Sequence, residues 1–218
     1  MIQIIPTLFS TTEEEYQKRL SKLNSCELLQ GGWVQLDFMD NKFVPNLSIG
    51  LDVVKKYPLE YQKEAQLMVI DPNQWIDRLV DFGVDRIIFP VEIDKNILEL
   101  INKIKQNKIE VGLSLNPETE VEKLDPYLDL LDAVLCMGVK PGEEGQQFNT
   151  NTYQKIADIK QRNPGIKVGV DGGVNDKNAK DLADAGADYL AIGSFLFNGN
   201  ISENLEILWE VINEQQES

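Results

Sequence analysis

Two hydrophobic rhythms take turns along this chain. Short runs with period-two alternation, such as Val34-Gln35-Leu36-Asp37-Phe38, are followed by longer stretches whose apolar positions recur every three or four residues, such as Ile97, Ile101 and Ile104. The first rhythm is that of a strand, the second that of a helix with one buried face. Read this way, strands are expected at 3–9, 33–38, 64–69, 85–89, 110–115, 133–137, 167–170 and 189–192. Between and after them, helices are expected at 13–29, 51–56, from Asp71-Pro72 to 81, 95–106, after Asn116-Pro117, 152–160, 176–185 and 202–212. Thr12 and Glu15 have capping-box spacing, and Asp71-Pro72 offers a cap and a first-turn proline. Phe82-Gly83-Val84-Asp85 and Ala185-Gly186-Ala187-Asp188 repeat a glycine that ends a helix and feeds a strand. Eight such units in 218 residues leave no room for a second domain. They predict a single α/β domain over residues 1–218, a (β/α)8 barrel. An open doubly wound sheet would need fewer strands and usually a Gly-rich turn after the first, where Pro6-Thr7-Leu8 stands.

Alternation also sorts the strand residues by face. Val34, Leu36 and Phe38 point toward the helices, and Gln35, Asp37 and Met39 toward the barrel axis. Gln66 and Met68 share a face, opposite Ala65, Leu67 and Val69. Asp171 ends the seventh strand on the side of Gly169. Carboxyl ends of barrel strands are where these folds place their chemistry. Asp37 and Asp171, from strands far apart in sequence, could therefore present one carboxylate to each face of a small substrate. The competing reading is local: Asp37 as a loop cap near Asp40 and Asn41, Asp171 as a turn former before Gly172-Gly173. Met39, Met68 and Met137 fall at or near strand ends on the inward side, either as core filler or as a polarizable wall around a reacting group. Gly172-Gly173 after the seventh strand and Gly193-Ser194 after the eighth sit where barrels bind phosphate through backbone N–H groups. Gly142 and Gly145 could complete that cradle; ordinary tight turns are the alternative.

Charge and composition narrow the partners. The chain has 36 acidic and 21 basic residues, a formal net charge of -15, and no histidine. Such a balance repels a polyanionic backbone, so nucleic acid is not an expected partner. No apolar stretch approaches the roughly 18–20 residues of a membrane span, and no membrane partner is expected. Any acid–base chemistry must run on Asp, Glu, Lys, Cys or Tyr, and imidazole metal ligation is excluded. Cys26 and Cys136 have no disulfide or zinc-site spacing and read as reduced core thiols; Met1 to Ser10 lacks the basic flank of a secretory signal. The expected compartment is the cytoplasm. A homo-oligomer is compatible with all of this.

Several blocks then carry a family resemblance. Leu36-Asp37-Phe38-Met39-Asp40-Asn41-Lys42-Phe43-Val44-Pro45-Asn46, with Ile49-Gly50 after it, resembles ribulose-phosphate 3-epimerases. So do Gln66-Leu67-Met68-Val69, Leu115-Asn116-Pro117, Met137-Gly138-Val139-Lys140-Pro141-Gly142, Gly145-Gln146-Gln147-Phe148 and Val170-Asp171-Gly172-Gly173-Val174. The match runs in register from Ile5-Pro6-Thr7-Leu8 to Gly193-Ser194. The resemblance implies proton transfer at C3 of a ketopentose phosphate, with Asp37 and Asp171 as the two bases, converting ribulose 5-phosphate to xylulose 5-phosphate. It implies substrate contacts from Thr7, Gln35, Met39, Gln66, Met68 and Met137, and phosphate contacts from Gly142, Gly145, Gly172, Gly173, Gly193 and Ser194.

The chain also departs from that pattern. The resemblance implies a divalent metal held by two histidines and two aspartates; the aspartates match Asp37 and Asp171, but the histidine positions hold Gln35 and Gln66. A further usual histidine is Pro90. The sixth loop reads Gly142-Glu143-Glu144-Gly145 in place of Gly-Phe-Gly-Gly, and Lys140 replaces an asparagine. Zinc is disfavoured by amide oxygen ligands. Gln35, Asp37, Gln66 and Asp171 would suit a hard ion, Mg2+ or Mn2+; alternatively the amide N–H groups replace the metal by hydrogen bonding the enediolate. The other functional reading is a sugar-phosphate-binding barrel without catalysis or with altered specificity, such as an epimerase acting on a ketohexose phosphate. A hexulose-phosphate synthase or decarboxylase would want a lysine in an Asp-x-Lys-x-x-Asp run, which Asp37-Phe38-Met39-Asp40 lacks.

Overall fold

The computed structural model describes residues 2–142 and 146–214. Its strands are β1 Gln3–Pro6, β2 Trp33–Met39, β3 Gln62–Met68, β4 Arg86–Pro90, β5 Glu110–Leu115, β6 Ala133–Met137, β7 Lys167–Asp171 and β8 Tyr189–Ile192. They form one parallel sheet in the order β1-β8-β7-β6-β5-β4-β3-β2. Its two ends meet where Thr7 bridges Gln35 and the Leu8 N–H donates to the Gln35 carbonyl at 2.8 Å. The result is the (β/α)8 barrel that the eight repeats imply.

The helices are α1 Glu13–Asn24, α2 Leu51–Val54, α3 Asn73–Phe82, α4 Ile97–Gln106, α5 Asn151–Arg162, α6 Ala179–Asp184, α7 Ser194–Phe197 and α8 Ile201–Asn213. The expected 13–29 helix is interrupted. Ser25 turns its hydroxyl onto the Lys22 carbonyl at 2.7 Å and Cys26 is extended, so Glu27–Leu29 forms a separate 3-10 turn; short polar side chains compete for helix backbone in this way. After Asn116-Pro117 there is no α-helix, only the 3-10 turns Val121–Leu124 and Leu128–Leu130. Pro126 between them has no N–H to continue a helix. The helix expected from 176 starts at Ala179, because Asn175 and Asn178 occupy the preceding turn: the Asn178 side chain accepts from the Asn175 N–H at 2.8 Å.

Capping follows expectation in part. Thr12 Oγ1 accepts from the Glu15 N–H at 3.2 Å, but the Glu15 carboxylate returns to Thr11, not to Thr12. The N-cap of α3 is Pro72, and the Asp71 carboxylate accepts instead from the Gln74 side chain. Gly83 and Gly186 take φ of 76° and 104°, and Val84 and Ala187 N–H reach back to Leu79 and Leu182 carbonyls. That is the Schellman closure which glycine makes cheap.

Inside and outside of the barrel differ in character. Val34, Leu36, Phe38, Ala65, Leu67, Val168 and Val170 are buried in the main core against the helices, where apolar area leaves water. The interior holds Ile5, Ile88, Leu135, Met137 and Tyr189 as a smaller apolar cluster. Gly169 makes room for it: a Cβ there would lie 2.1 Å from the Tyr189 ring.

Candidate active site

A pocket opens at the carboxyl end of the strands. Its wall includes Thr7, Asp37, Met39, Met68, Met137, Gly142, Asp171, Gly172, Gly173, Gly193 and Ser194, which the sequence offers through strand alternation, loop position or the resemblance. Gly145 and the glutamates Glu143 and Glu144 lie outside the described residues. Phe9, Val139, Pro141, Val174, Ala191 and Ile192 complete the wall and were not singled out by sequence; Val139, Pro141 and Val174 sit within quoted family blocks, the signal that could have found them.

The carboxylates of Asp37 and Asp171 reach the pocket from opposite parts of the sheet, at 7% and 8% exposure. Asp171 pairs in register with Met137 and Ala191, and Asp37 with Gln66. Gln35 and Gln66 differ from expectation. They are buried and do not line the pocket, yet both lie within hydrogen-bond distance of the carboxylates. Strand register sets Gln66 level with Asp37, and Gln35 level with Glu64, lower along the barrel.

Hydrogen bonding fixes how the two amides are used. Gln35 Nε2 donates to Asp37 Oδ1 at 3.0 Å. One end of the Gln66 amide lies 2.9 Å from Asp37 Oδ1, Asp171 Oδ2 and Gln35 Nε2; the other faces Met137 Sδ at 3.2 Å. With its oxygen inward, Gln66 gains one neutral bond from Gln35 and sets a lone pair against two carboxylates. With its nitrogen inward it donates to both carboxylates, and charge-assisted bonds are about twice as strong as neutral ones, which outweighs setting it 2.9 Å from the Gln35 Nε2 donor. The balance of hydrogen bonds favours the orientation with the nitrogen facing the carboxylates. Gln35 Oε1 and Thr7 Oγ1 are buried without a hydrogen-bond partner among the described residues, and Thr7 lines the pocket.

Backbone shape at the rim is glycine-dependent. Gly172 and Gly173 have φ of 95° and 71°, and a Cβ on Gly172 would lie 2.5 Å from Val139 Cγ2. Gly142, at φ 117°, packs on Val44 and accepts from the Asn46 side chain, which ties the loop after β6 to the loop after β2.

The family model for ribulose-phosphate 3-epimerases matches residues 3–197. This chain belongs to the ribulose-phosphate 3-epimerase family. It is 34% identical over 209 residues to the ribulose-phosphate 3-epimerase of Schizosaccharomyces pombe, covering 93% of this chain and 90% of that one. The Chlamydia pneumoniae enzyme of that name is 35% identical over 176 residues, 77% of each chain. A cytoplasmic isoform from Oryza sativa is 31% identical over 202 residues, 89% of this chain and 87% of its own. A 3-hexulose-6-phosphate synthase structure superposes with a TM-score of 0.72 at 15% identity, over 97% of this chain and all of that one; this likeness shows the fold alone.

The metal implied by the resemblance does not fit this donor set. The inward atoms of Gln35 and Gln66 are amide nitrogens whose hydrogens point at carboxylates, and such nitrogens donate rather than ligate. Among the described residues no group of three or more His, Cys, Asp or Glu side chains can hold an ion.

Proposed function

We propose that the barrel interconverts D-ribulose 5-phosphate and D-xylulose 5-phosphate by two-base proton transfer at C3. The observation that carries this reading is the meeting of Asp37 and Asp171 at one pocket, in a chain of this family. One carboxyl starts ionised and the other protonated. The carboxylate takes the C3 proton and leaves an enediolate; the opposite carboxylic acid gives its proton to the other face of C3. Inversion results, and the two carboxyls have exchanged protonation states. General acid–base transfer of this kind contributes about 10²–10⁴-fold.

The Thr7 hydroxyl, buried with its oxygen unpartnered among the described residues, suits an enediolate or substrate oxygen. Met39, Met68 and Met137 supply an apolar wall beside the planar intermediate, excluding water that would reprotonate it at random. The phosphate lies against the backbone of Gly172-Gly173 and Gly193-Ser194, with Gly142 opposite. The left-handed glycines let backbone approach the anion without a side chain between. The free thiols Cys26 and Cys136 accord with reaction in a reducing cytoplasm.

Ribulose 5-phosphate incubated with the protein in D2O and followed by NMR tests this. Xylulose 5-phosphate carrying deuterium at C3 is the expected product. Saturable binding of the sugar phosphate with no exchange at C3 would instead make the barrel a binding protein.

A further inference from the structure

We propose that Gln66 is a positioning residue that ties Asp37 to Asp171 through its two amide N–H bonds, in place of a divalent cation; this rests on the epimerase reading above. Hydrogens and acceptors match in number. One nitrogen carrying two hydrogens lies 2.9 Å from Asp37 Oδ1 and 2.9 Å from Asp171 Oδ2, its two acceptors, and 2.9 Å from the Gln35 Nε2 donor, which takes neither hydrogen. Both hydrogens are committed, and the nitrogen offers no lone pair to an ion. Gln66 is 1% exposed, so water does not compete for these bonds, which are stronger in a buried setting.

The bridge does more than join the carboxylates. Each receives Gln66 on one named oxygen, and Asp37 Oδ1 also receives Gln35 Nε2 at 3.0 Å. A carboxylate oxygen has two lone pairs, and on Asp37 Oδ1 the two N–H donors take both. The transferable proton of Asp37 is therefore directed to Oδ2. As C3 loses its proton to Asp37 Oδ2 and gains one from Asp171, both Gln66 bonds persist unchanged. No reorganisation of the support accompanies the step, which is what preorganisation requires. Gln35 assists by holding Asp37 alone.

The rival arrangement uses the same atoms. Turned over, Gln66 Oε1 would join Asp37 Oδ1 and Asp171 Oδ2 as an all-oxygen site for Mg2+ or Mn2+. Metal content decides between them. Protein purified with a chelator and dialysed into metal-free buffer is analysed for metals and titrated calorimetrically with Mn2+, Mg2+ and Zn2+. We expect no stoichiometric ion, no saturable binding, and turnover changed by less than about twofold by chelator or added ion. Gln66→Glu, which places a third carboxylate at the same spot, should bind one Mn2+ where the parent binds none. Gln66→Leu, shown folded by circular dichroism, should lose about 100-fold in kcat with KM within about threefold. Wild-type protein that keeps one equivalent of ion through dialysis, or loses turnover to chelator, overturns the bridge; so does a folded Gln66→Leu with undiminished kcat. If no condition gives epimerisation, the epimerase reading fails, and the calorimetry still decides the bridge because it needs no turnover.

Discussion

The barrel interior buries carboxylates at both of its ends, and the two ends meet that cost with different partners. At the amino end Glu64 is fully buried and paired with the Arg86 guanidinium, Nη1 to Oε2 at 2.8 Å. Arg86 also reaches Glu110, Nη2 to Oε2 at 2.6 Å, and its Cζ stands 4.3 Å from the centre of the Trp33 ring. Tyr189 donates its hydroxyl to Glu64 at 3.1 Å. At the carboxyl end amides stand beside Asp37 and Asp171. A guanidinium neutralises charge outright and locks a plug. An amide satisfies one oxygen of a carboxylate and leaves its charge in play. The first arrangement suits stability, the second suits a group that must take up and release a proton.

Removing a carboxylate should therefore have opposite consequences at the two ends. Asp37→Asn or Asp171→Asn should lower kcat by at least about 10³-fold, roughly 4 kcal/mol of transition-state stabilisation. Thermal stability should hold or rise, since each removes a buried negative charge. Steady-state rates and a melting curve on the same preparations check this; a large fall in Tm with modest loss of rate would make the two ends alike.

Next in size is the cation of the plug. Arg86→Met leaves Glu64 and Glu110 without their shared partner. Breaking a buried pair from one side costs about 3–4 kcal/mol, or roughly 6–16 °C in Tm for a chain of this length. Turnover per folded molecule should be unchanged, because the plug does not line the pocket. Activity normalised to folded fraction tests that separation.

These two ends were not equally legible in the sequence. Period-two alternation put Asp37 and Met39 on the inner face, and the glycine pairs lay at strand ends, so most of the pocket wall followed from pattern and resemblance. What alternation cannot give is height along the barrel. Gln66 pairs with Asp37, not with Gln35, so the two glutamines stand at different levels. The plug was invisible for a related reason: Glu64, Arg86, Glu110 and Tyr189 come from four strands, and each alone reads as an ordinary strand-end residue. Helices were legible where apolar spacing was long, as in α4. They were not where local chemistry prevailed, as at Ser25, at Asn175 and Asn178, and around Pro126.

Tyr189→Phe probes the plug more gently. The ring and its packing over Gly169 remain, while Glu64 loses the hydroxyl. Among the described residues Glu64 Oε1 already has no hydrogen-bond partner, so there the carboxylate would rest on Arg86. A cost of about 1–2 kcal/mol is expected in urea unfolding, with the m-value unchanged. No measurable change would show that Arg86 alone is sufficient for Glu64.

The smallest effect expected is at the rim of the plug, where the pH dependence of stability has a definite sign. Burial raises the Glu110 pKa, but hydrogen bonds and charge from Lys167 and Arg86 outweigh it, and the net direction is below the ordinary value of 4.5. Lys167 Nζ lies 2.9 Å from Oε1. A carboxyl lowered on folding binds fewer protons in the native state than in the unfolded one. Its contribution is present above the unfolded value near 4.5 and fades as pH falls through the lower folded value. The Glu110 side chain is 35% exposed, so solvent screening holds the contribution under about 1 kcal/mol. Urea unfolding of wild type and Glu110→Gln across pH 3 to 7 measures it, with the two curves farthest apart at neutral pH and converging on the acid side. Curves that stay parallel would place Glu110 outside the electrostatics of the plug, and leave Arg86 serving Glu64 alone.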